Sequence, residues 1–104
     1  MIQNAKLLVI YLDETDVWED LPMYEAIVRR LLQHGISGAT VHRGIMGYGF
    51  QQRVHHKRLF GISDDRPVTI SVVEEEAKLR PFIAEIRGMV GDSLIVMLDV
   101  EVLT

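Results

Sequence analysis

Four short apolar runs alternate with two longer stretches of helical period, and this order restricts the fold more than any other feature of the sequence. The runs cover residues 5–12, 39–46, 67–73 and 94–103. They are rich in Val, Ile and Thr and too short for buried helices, so we predict four strands. The first helical stretch follows the first run, and the second follows the third run.

The first helical stretch begins near Leu21, where apolar residues start to recur three and four positions apart. Glu19 and Asp20 precede it, as the positive end of a helix dipole favours. Pro22 fits the first turn, where its missing N–H costs nothing, and Gly35 suits a left-handed C-terminal cap. Both ends of a first helix are therefore predicted.

The second helical stretch has an apolar stripe that continues to Val90, although Gly88 interrupts it. We predict a start near Ala77, so that Pro81 lies in the first turn. The element order is then βαββαβ. With right-handed crossovers, this order gives an α+β ferredoxin-like sandwich, a four-stranded antiparallel sheet with two helices on one face.

Composition excludes several classes of protein. The 104 residues suffice for a single domain, 1–104. The chain has no cysteine, which removes disulfides and thiolate sites and favours the cytoplasm. No apolar run has the length of a membrane span, so no membrane insertion is expected. The net charge of -4 argues against nucleic-acid binding, and the third strand lacks the aromatic residues on which RNA-binding modules stack bases.

Both faces of the first strand are apolar. A sheet covered on one side should alternate apolar and polar residues, yet this strand has Leu7, Val9 and Tyr11 on one face and Leu8, Ile10 and Leu12 on the other. The last strand repeats the pattern. Since each large apolar side chain gains about 1.5–3 kcal/mol on full burial, we predict an oligomer that covers the open sheet face.

The segment from Gly47 to Arg66 is too long for a hairpin turn, and loops of this length are usually functional or disordered. Arg43 before it offers a bidentate donor for phosphate or carboxylate, and nearby glycines permit close backbone approach. The candidate ligand-binding residues here are Arg43, Gly44, Gly47, Tyr48, Gly49, Lys57 and Arg58. A solvated, flexible hairpin is the alternative.

A second glycine-containing turn leaves the second helix. It supplies the further candidates Arg87, Gly88, Gly91, Asp92 and Ser93. Ordinary helix-to-strand turn chemistry explains these residues equally well. No nucleophile with a partner base and no carboxylate pair in an apolar setting is recognisable, so the sequence predicts no enzyme, no catalytic residue and no cofactor. The acidic residues 13–16 are explained as a solvated stretch before a helix.

Three stretches resemble an uncharacterised branch of the PII-like proteins: residues 21–28 (LPMYEAIV), 35–49 (GISGATVHRGIMGYG) and 65–68 (DRPV). PII-like proteins are ferredoxin-like trimers. The loop between their second and third strands and the turn after their second helix enclose a nucleotide or other small effector between subunits. The resemblance implies that Arg43 and the glycines after it form one wall of such a cleft, and that residues 87–93 form the other.

The leading hypothesis is therefore a cytoplasmic homotrimer that binds a small effector, such as an adenine nucleotide or another anion, and regulates a protein partner through residues 47–66. The alternative is a trimer that binds divalent metals and resembles the cation tolerance proteins of the same superfamily. His42, His55 and His56 would then be its plausible ligands. No histidine pair has the i, i+4 spacing of a helical metal motif, so no metal ligand is assigned.

Overall fold

The computed structural model describes residues 4–48 and 66–104. Within them the chain forms two helices, α1 and α2, and six strands, β1 to β6. Their order and bounds are β1 Ala5–Asp13, β2 Val17–Trp18, β3 Leu21–Pro22, α1 Met23–Gln33, β4 Thr40–Arg43, β5 Pro67–Glu75, α2 Glu76–Val90 and β6 Ile95–Asp99.

The four longer strands form one antiparallel sheet in the order β4-β5-β1-β6. β1 pairs with β5 along its whole length, from Ala5 opposite Glu75 to Asp13 opposite Pro67. On its other side β1 pairs with β6, from Lys6 opposite Asp99 to Ile10 opposite Ile95. Two crossover helices complete the predicted ferredoxin-like α+β fold, which is confirmed.

One apolar core joins the helices to one face of the sheet. Leu8 and Ile10 of β1 and Ile70 of β5 are fully buried against the helices. The helices contribute fully or almost fully buried apolar side chains, namely Ile27, Leu31, Leu79, Phe82 and Ile86. Burial of each such side chain contributes about 1.5–3 kcal/mol, so this packing fixes the sheet beneath the helices.

On the opposite face of the sheet, apolar side chains stay partly or largely exposed among residues 4–48 and 66–104. Leu7 and Val9 are only half-buried on it, although they lie at the centre of the sheet. Tyr11 is 43% exposed, Val73 39% and Leu98 48%. These five residues are called the open sheet face below. Their exposure agrees with the apolar pattern on both faces of the first strand.

The first helix begins later than its sequence pattern predicts. Leu21 and Pro22 form β3, which pairs with Val17 and Trp18 of β2 in a short hairpin. The residues between them make the turn, and Glu19 has a φ of +54° there. Because Pro22 has extended backbone angles and precedes Met23, the prediction that it lies in the first helical turn is wrong. Gly35, with a φ of +74°, ends the helix as predicted.

The second helix begins at Glu76, one residue before the predicted start. Pro81 is consequently its sixth residue rather than part of its first turn, and that prediction is wrong. A proline at this position removes one backbone hydrogen bond from the helix. The buried residues Leu79, Phe82 and Ile86 on either side of Pro81 keep the helix on the sheet.

The two edge strands are shorter than the predicted ranges 39–46 and 94–103. β4 ends at Arg43, which lies opposite Val68 near the start of β5. β6 ends at Asp99, opposite Lys6 near the start of β1. Each edge strand therefore ends near the first residue of the antiparallel strand beside it. The apolar pattern of residues 100–103 continues after the end of β6. No helix in residues 4–48 and 66–104 is long and apolar enough to cross a membrane.

Candidate functional site

The first predicted wall begins with Arg43, the last residue of β4. Its side chain is exposed and makes a two-pronged ion pair with Glu14, in the turn after β1. Arg43 Nε donates to Glu14 Oε1 and Arg43 Nη2 donates to Oε2, both at 3.0 Å. This hydrogen bonding raises the pKa of Arg43, so the guanidinium keeps its charge.

The glycines after Arg43 pack against Pro67, the first residue of β5. The Gly44 N–H donates to the Pro67 carbonyl at 2.7 Å. A Cβ placed on Gly44 would lie only 2.8 Å from Pro67 Cγ, whereas one on Gly47 would lie at an ordinary 3.4 Å. The close approach that glycine permits at position 44 is therefore an approach to Pro67. Tyr48 follows with its side chain 70% exposed.

The second predicted wall is a closed turn between α2 and β6. Arg87 Nη1 donates to the Gly91 carbonyl at 2.7 Å and to the Ser93 carbonyl at 2.8 Å. Ser93 is buried, and its hydroxyl donates to the Val90 carbonyl at 2.9 Å. Gly91 has a φ of +62°, which disfavours a side chain at that position. Arg87 thus holds the shape of the turn, while Gly88 lies within α2 and Asp92 is exposed in the turn.

The two walls lie at the same end of the sheet but on opposite edges. Arg43 is at the end of β4, which pairs with the start of β5. The turn 91–93 leads into β6, whose start pairs with the end of β1, and the Tyr11 N–H donates to the Leu94 carbonyl. Three strand spacings separate β4 from β6, which amounts to about 14 Å. The described parts of the two walls, residues 43–48 and 87–93, are thus separated by the width of the sheet.

Three of the predicted ligand-binding residues, Gly49, Lys57 and Arg58, lie outside the described residues. So do His55 and His56 of the metal alternative. His42 lies on β4, opposite Thr69 of β5, and is exposed. In residues 4–48 and 66–104 no group of three or more His, Asp or Glu side chains could hold a metal ion.

Glu14 is the functional candidate that sequence reasoning missed. The acidic residues 13–16 are followed by a hairpin instead of a helix, so they do not serve a helix dipole. The Glu14 N–H donates to the Arg66 carbonyl at 2.7 Å, which ties the turn to the chain entering β5. Glu14 and Arg43 are 29 residues apart in sequence, and no local pattern signals their pairing.

A family model matches nearly the whole of the chain. The model of the family DUF190, described as Uncharacterized ACR, matches residues 5–102. The chain belongs to the DUF190 family. A UPF0166 protein of Aquifex aeolicus is 37% identical over 102 residues, which cover 98% of this chain and 96% of the relative. A UPF0166 protein of Methanocaldococcus jannaschii is also 37% identical, over 95% of this chain and 92% of its own.

Solved structures show that the DUF190 chain has the PII-like fold. CPII of Thiomonas intermedia K12, a nitrogen regulatory PII-like protein bound to ADP, AMP and bicarbonate, superposes with a TM-score of 0.69. The two sequences are 17% identical, and the superposition covers 96% of this chain and 93% of the CPII chain. The divalent ion tolerance protein CutA1 of Ehrlichia chaffeensis has a TM-score of 0.68 at 15% identity, over 100% of this chain and 88% of its own. The predicted resemblance to an uncharacterised PII-like branch is confirmed.

Proposed function

We propose that this protein is a PII-like homotrimer that binds a small anionic effector between subunits and regulates a protein partner. The observation that carries the proposal is the position of the two walls. Residues 43–48 and 87–93 lie at one end of the sheet on opposite edges. When identical chains assemble edge to edge in a ring, the wall on one chain faces the other wall on its neighbour.

The open sheet face supports the assembly. Exposed and half-buried apolar residues cover the centre of the sheet on the side away from the helices. Contiguous apolar surface of this kind marks an interaction site in soluble proteins. A ring of identical chains would bury this face and at the same time bring the edge strands of neighbouring chains together.

The ligand class follows from the charge of the walls and from the likeness to CPII. Arg43 presents a fork of N–H donors, which suits phosphate and carboxylate groups. CPII was solved with ADP, AMP and bicarbonate. We therefore propose an adenine nucleotide or a small oxyanion as effector. We regard the protein as a cytoplasmic binding protein rather than an enzyme.

Regulation of a partner would pass through residues 47–66. The effector can shift the state of these residues only by binding one state more tightly than the other. The ends of this segment that the structure describes lie next to the first wall: a Cβ on Gly47 would be 3.4 Å from Pro67 Cγ, and the Arg66 carbonyl accepts from the Glu14 N–H. An anion at Arg43 would thus lie at the base of the segment.

The likeness to CutA1 favours a second candidate, a trimer that binds divalent metals. The TM-scores for CPII and CutA1 are nearly equal, so the fold does not separate the two functions. His42 is the only one of the three proposed metal ligands that lies within the described ranges. The experiment that tests anion binding therefore also includes titration with metal ions.

The test combines light scattering with isothermal titration of ADP, AMP, bicarbonate, Zn²⁺ and Cu²⁺. We expect a trimer that binds one of the anions, and we expect Arg43→Ala to abolish this binding. Arg29→Ala is the matched control, because Arg29 makes an equivalent pair with Glu25 through two of its nitrogens on α1. A monomer, or anion binding that both variants retain, would contradict the proposal. Binding of metals alone would favour the second candidate.

A further inference from the structure

The Arg43–Glu14 pair joins an edge of the sheet to its centre. Arg43 ends β4, whereas Glu14 follows β1, and β5 lies between these two strands. The Arg43 and Glu14 side chains together therefore span the end of β5, a distance of about 10 Å in strand spacings. A guanidinium in this position points toward the middle of its own sheet and away from the edge where a neighbouring chain would lie.

Glu14 is held in place by the turn that carries it. The Asp16 N–H donates to the Asp13 carbonyl at 3.0 Å, and the Thr15 N–H donates to Asp13 Oδ1 at 2.9 Å. The Asp13 N–H donates to Asp16 Oδ2 at 3.0 Å, which closes the turn. The Glu14 side chain itself is only 26% exposed. Its carboxylate is thus a preformed acceptor that Arg43 meets with two donors.

We propose that Glu14 is an internal competitor for the effector of the inter-subunit cleft, so that an anion gains the Nε and Nη2 donors of Arg43 only when Arg43 leaves Glu14. This inference rests on the proposed function, and it adds a specificity-determining residue to the same site. A carboxylate and a phosphate make the same demand on a guanidinium, namely two parallel N–H donors. The two anions cannot share the Nε and Nη2 donors of one side chain.

Competition of this kind has a measurable size. The apparent dissociation constant equals the intrinsic constant divided by the fraction of molecules in which Arg43 is released. An exposed pair of ordinary strength would leave only a minority of Arg43 side chains released, which weakens binding about three- to sixfold. Removing the Glu14 charge should therefore lower the apparent dissociation constant by the same factor of about three to six for every ligand that bonds to Arg43. The dissociation constant of a ligand that does not bond to Arg43 should stay the same.

The experiment titrates full-length wild type, Glu14→Gln and Glu25→Gln with ADP and with uncharged adenosine. Glu25→Gln is the matched control, because it breaks a comparable exposed Arg–Glu pair on α1 with the same change in net charge. We expect Glu14→Gln to bind ADP about three- to sixfold more tightly than wild type. Glu25→Gln should match wild type, and the affinity for adenosine should not change. In an Arg43→Ala background, Glu14→Gln should not restore ADP binding, since the donors for which Glu14 would compete are gone.

The outcomes separate this inference from the proposed function. Should wild type bind ADP while Glu14→Gln binds it equally or more weakly, Glu14 is no competitor and the inference is overturned, but the cleft stands. An equal gain in Glu14→Gln and Glu25→Gln would show a general effect of net charge and overturns the inference as well. If neither wild type nor Glu14→Gln binds ADP, the inference is overturned, whereas the proposed function fails only if AMP and bicarbonate do not bind either. Binding by Glu14→Gln alone would support the inference strongly.

Discussion

At the scale of single residues, Glu74 places a carboxylate in the protein interior. It belongs to β5 and is only 2% exposed. The Ser37 N–H and hydroxyl donate to its Oε1 at 3.0 and 3.1 Å, and the Glu75 N–H donates to Oε2 at 3.1 Å. Burial alone would raise the pKa of Glu74, but these hydrogen bonds and the nearby Lys78 outweigh burial and hold the pKa below its usual value of 4.5. The carboxylate fixes the connection between α1 and β4 against the start of α2.

Replacing Glu74 by Gln should reduce stability in a pH-dependent way. A carboxyl group whose pKa is lower in the folded state stabilises the fold above its unfolded pKa, and this contribution is lost as the pH falls through 4.5 toward the folded pKa. We expect the free energy of unfolding of Glu74→Gln to be lower by about 1–3 kcal/mol at pH 7. The gap to wild type should shrink between pH 6 and pH 3. Urea unfolding at fixed protein concentration measures the loss in free energy of unfolding at pH 7 and its change with pH. The control is Glu101→Gln, a substitution at an exposed position.

A gap that stays constant with pH would show that the hydrogen bonds of Glu74 do not depend on its charge. That result would contradict the account of its environment.

The two candidate arginines show what residue types alone could predict. Arg43 lies at the end of β4 and Arg87 near the end of α2, as the element order predicts, and their part in ligand binding stays a prediction. The element order does not predict the groups with which these two arginines form hydrogen bonds. Glu14 is distant in sequence, and the carbonyls of Gly91 and Ser93 that accept from Arg87 belong to the backbone. Side-chain hydrogen bonding of this kind has no periodic signal in a sequence.

At the scale of elements, strong hydrophobic periodicity predicts the helices and long strands, and non-local pairing decides where they end. The apolar residues after Asp99 continue the strand pattern, but β1 offers no partner beyond Ala5, whose carbonyl accepts from the Val100 N–H. The hairpin of β2 and β3 was missed because strands of two residues show no period. Trp18 of this hairpin packs against the core, as expected for a residue of its size.

Two glycines near the end of α2 should respond oppositely to alanine. Gly88 lies inside the helix with nothing within 4 Å of the position a Cβ would take, so Gly88→Ala should stabilise the protein by about 0.5–1 kcal/mol. Gly91 has a φ of +62° and a ψ of -127° at the C-cap, so Gly91→Ala should destabilise it by about 1–2 kcal/mol. Urea unfolding of both variants at one protein concentration gives the comparison.

Destabilisation by Gly88→Ala would mean that another surface closely approaches this helix position in the assembled protein. The second wall would then consist of residues 87–93 together with a surface of a neighbouring chain.

At the scale of the whole molecule, one end of the sheet carries a candidate binding wall on each of its two edges. The order of the helices and long strands and the open sheet face are readable from the sequence, and the open sheet face supports the proposed assembly of identical chains. What the sequence does not show is the separation of the walls. It follows from the sheet order β4-β5-β1-β6, which places Arg43 and the turn after α2 on opposite edges at the same end. This placement is why we propose that the cleft lies at the boundary between subunits.

The most direct test of the inter-subunit cleft is complementation between two defective chains. Arg43→Ala and Arg87→Ala are each titrated with ADP alone, and then as oligomers assembled from equal amounts of both chains. Each variant alone should fail to bind. In the mixed oligomers about one quarter of the sites should bind, because half of the chains carry an intact Arg43 and half of their neighbours carry an intact Arg87. Mixed oligomers that bind no ADP, although wild type binds it, would contradict a site shared between subunits.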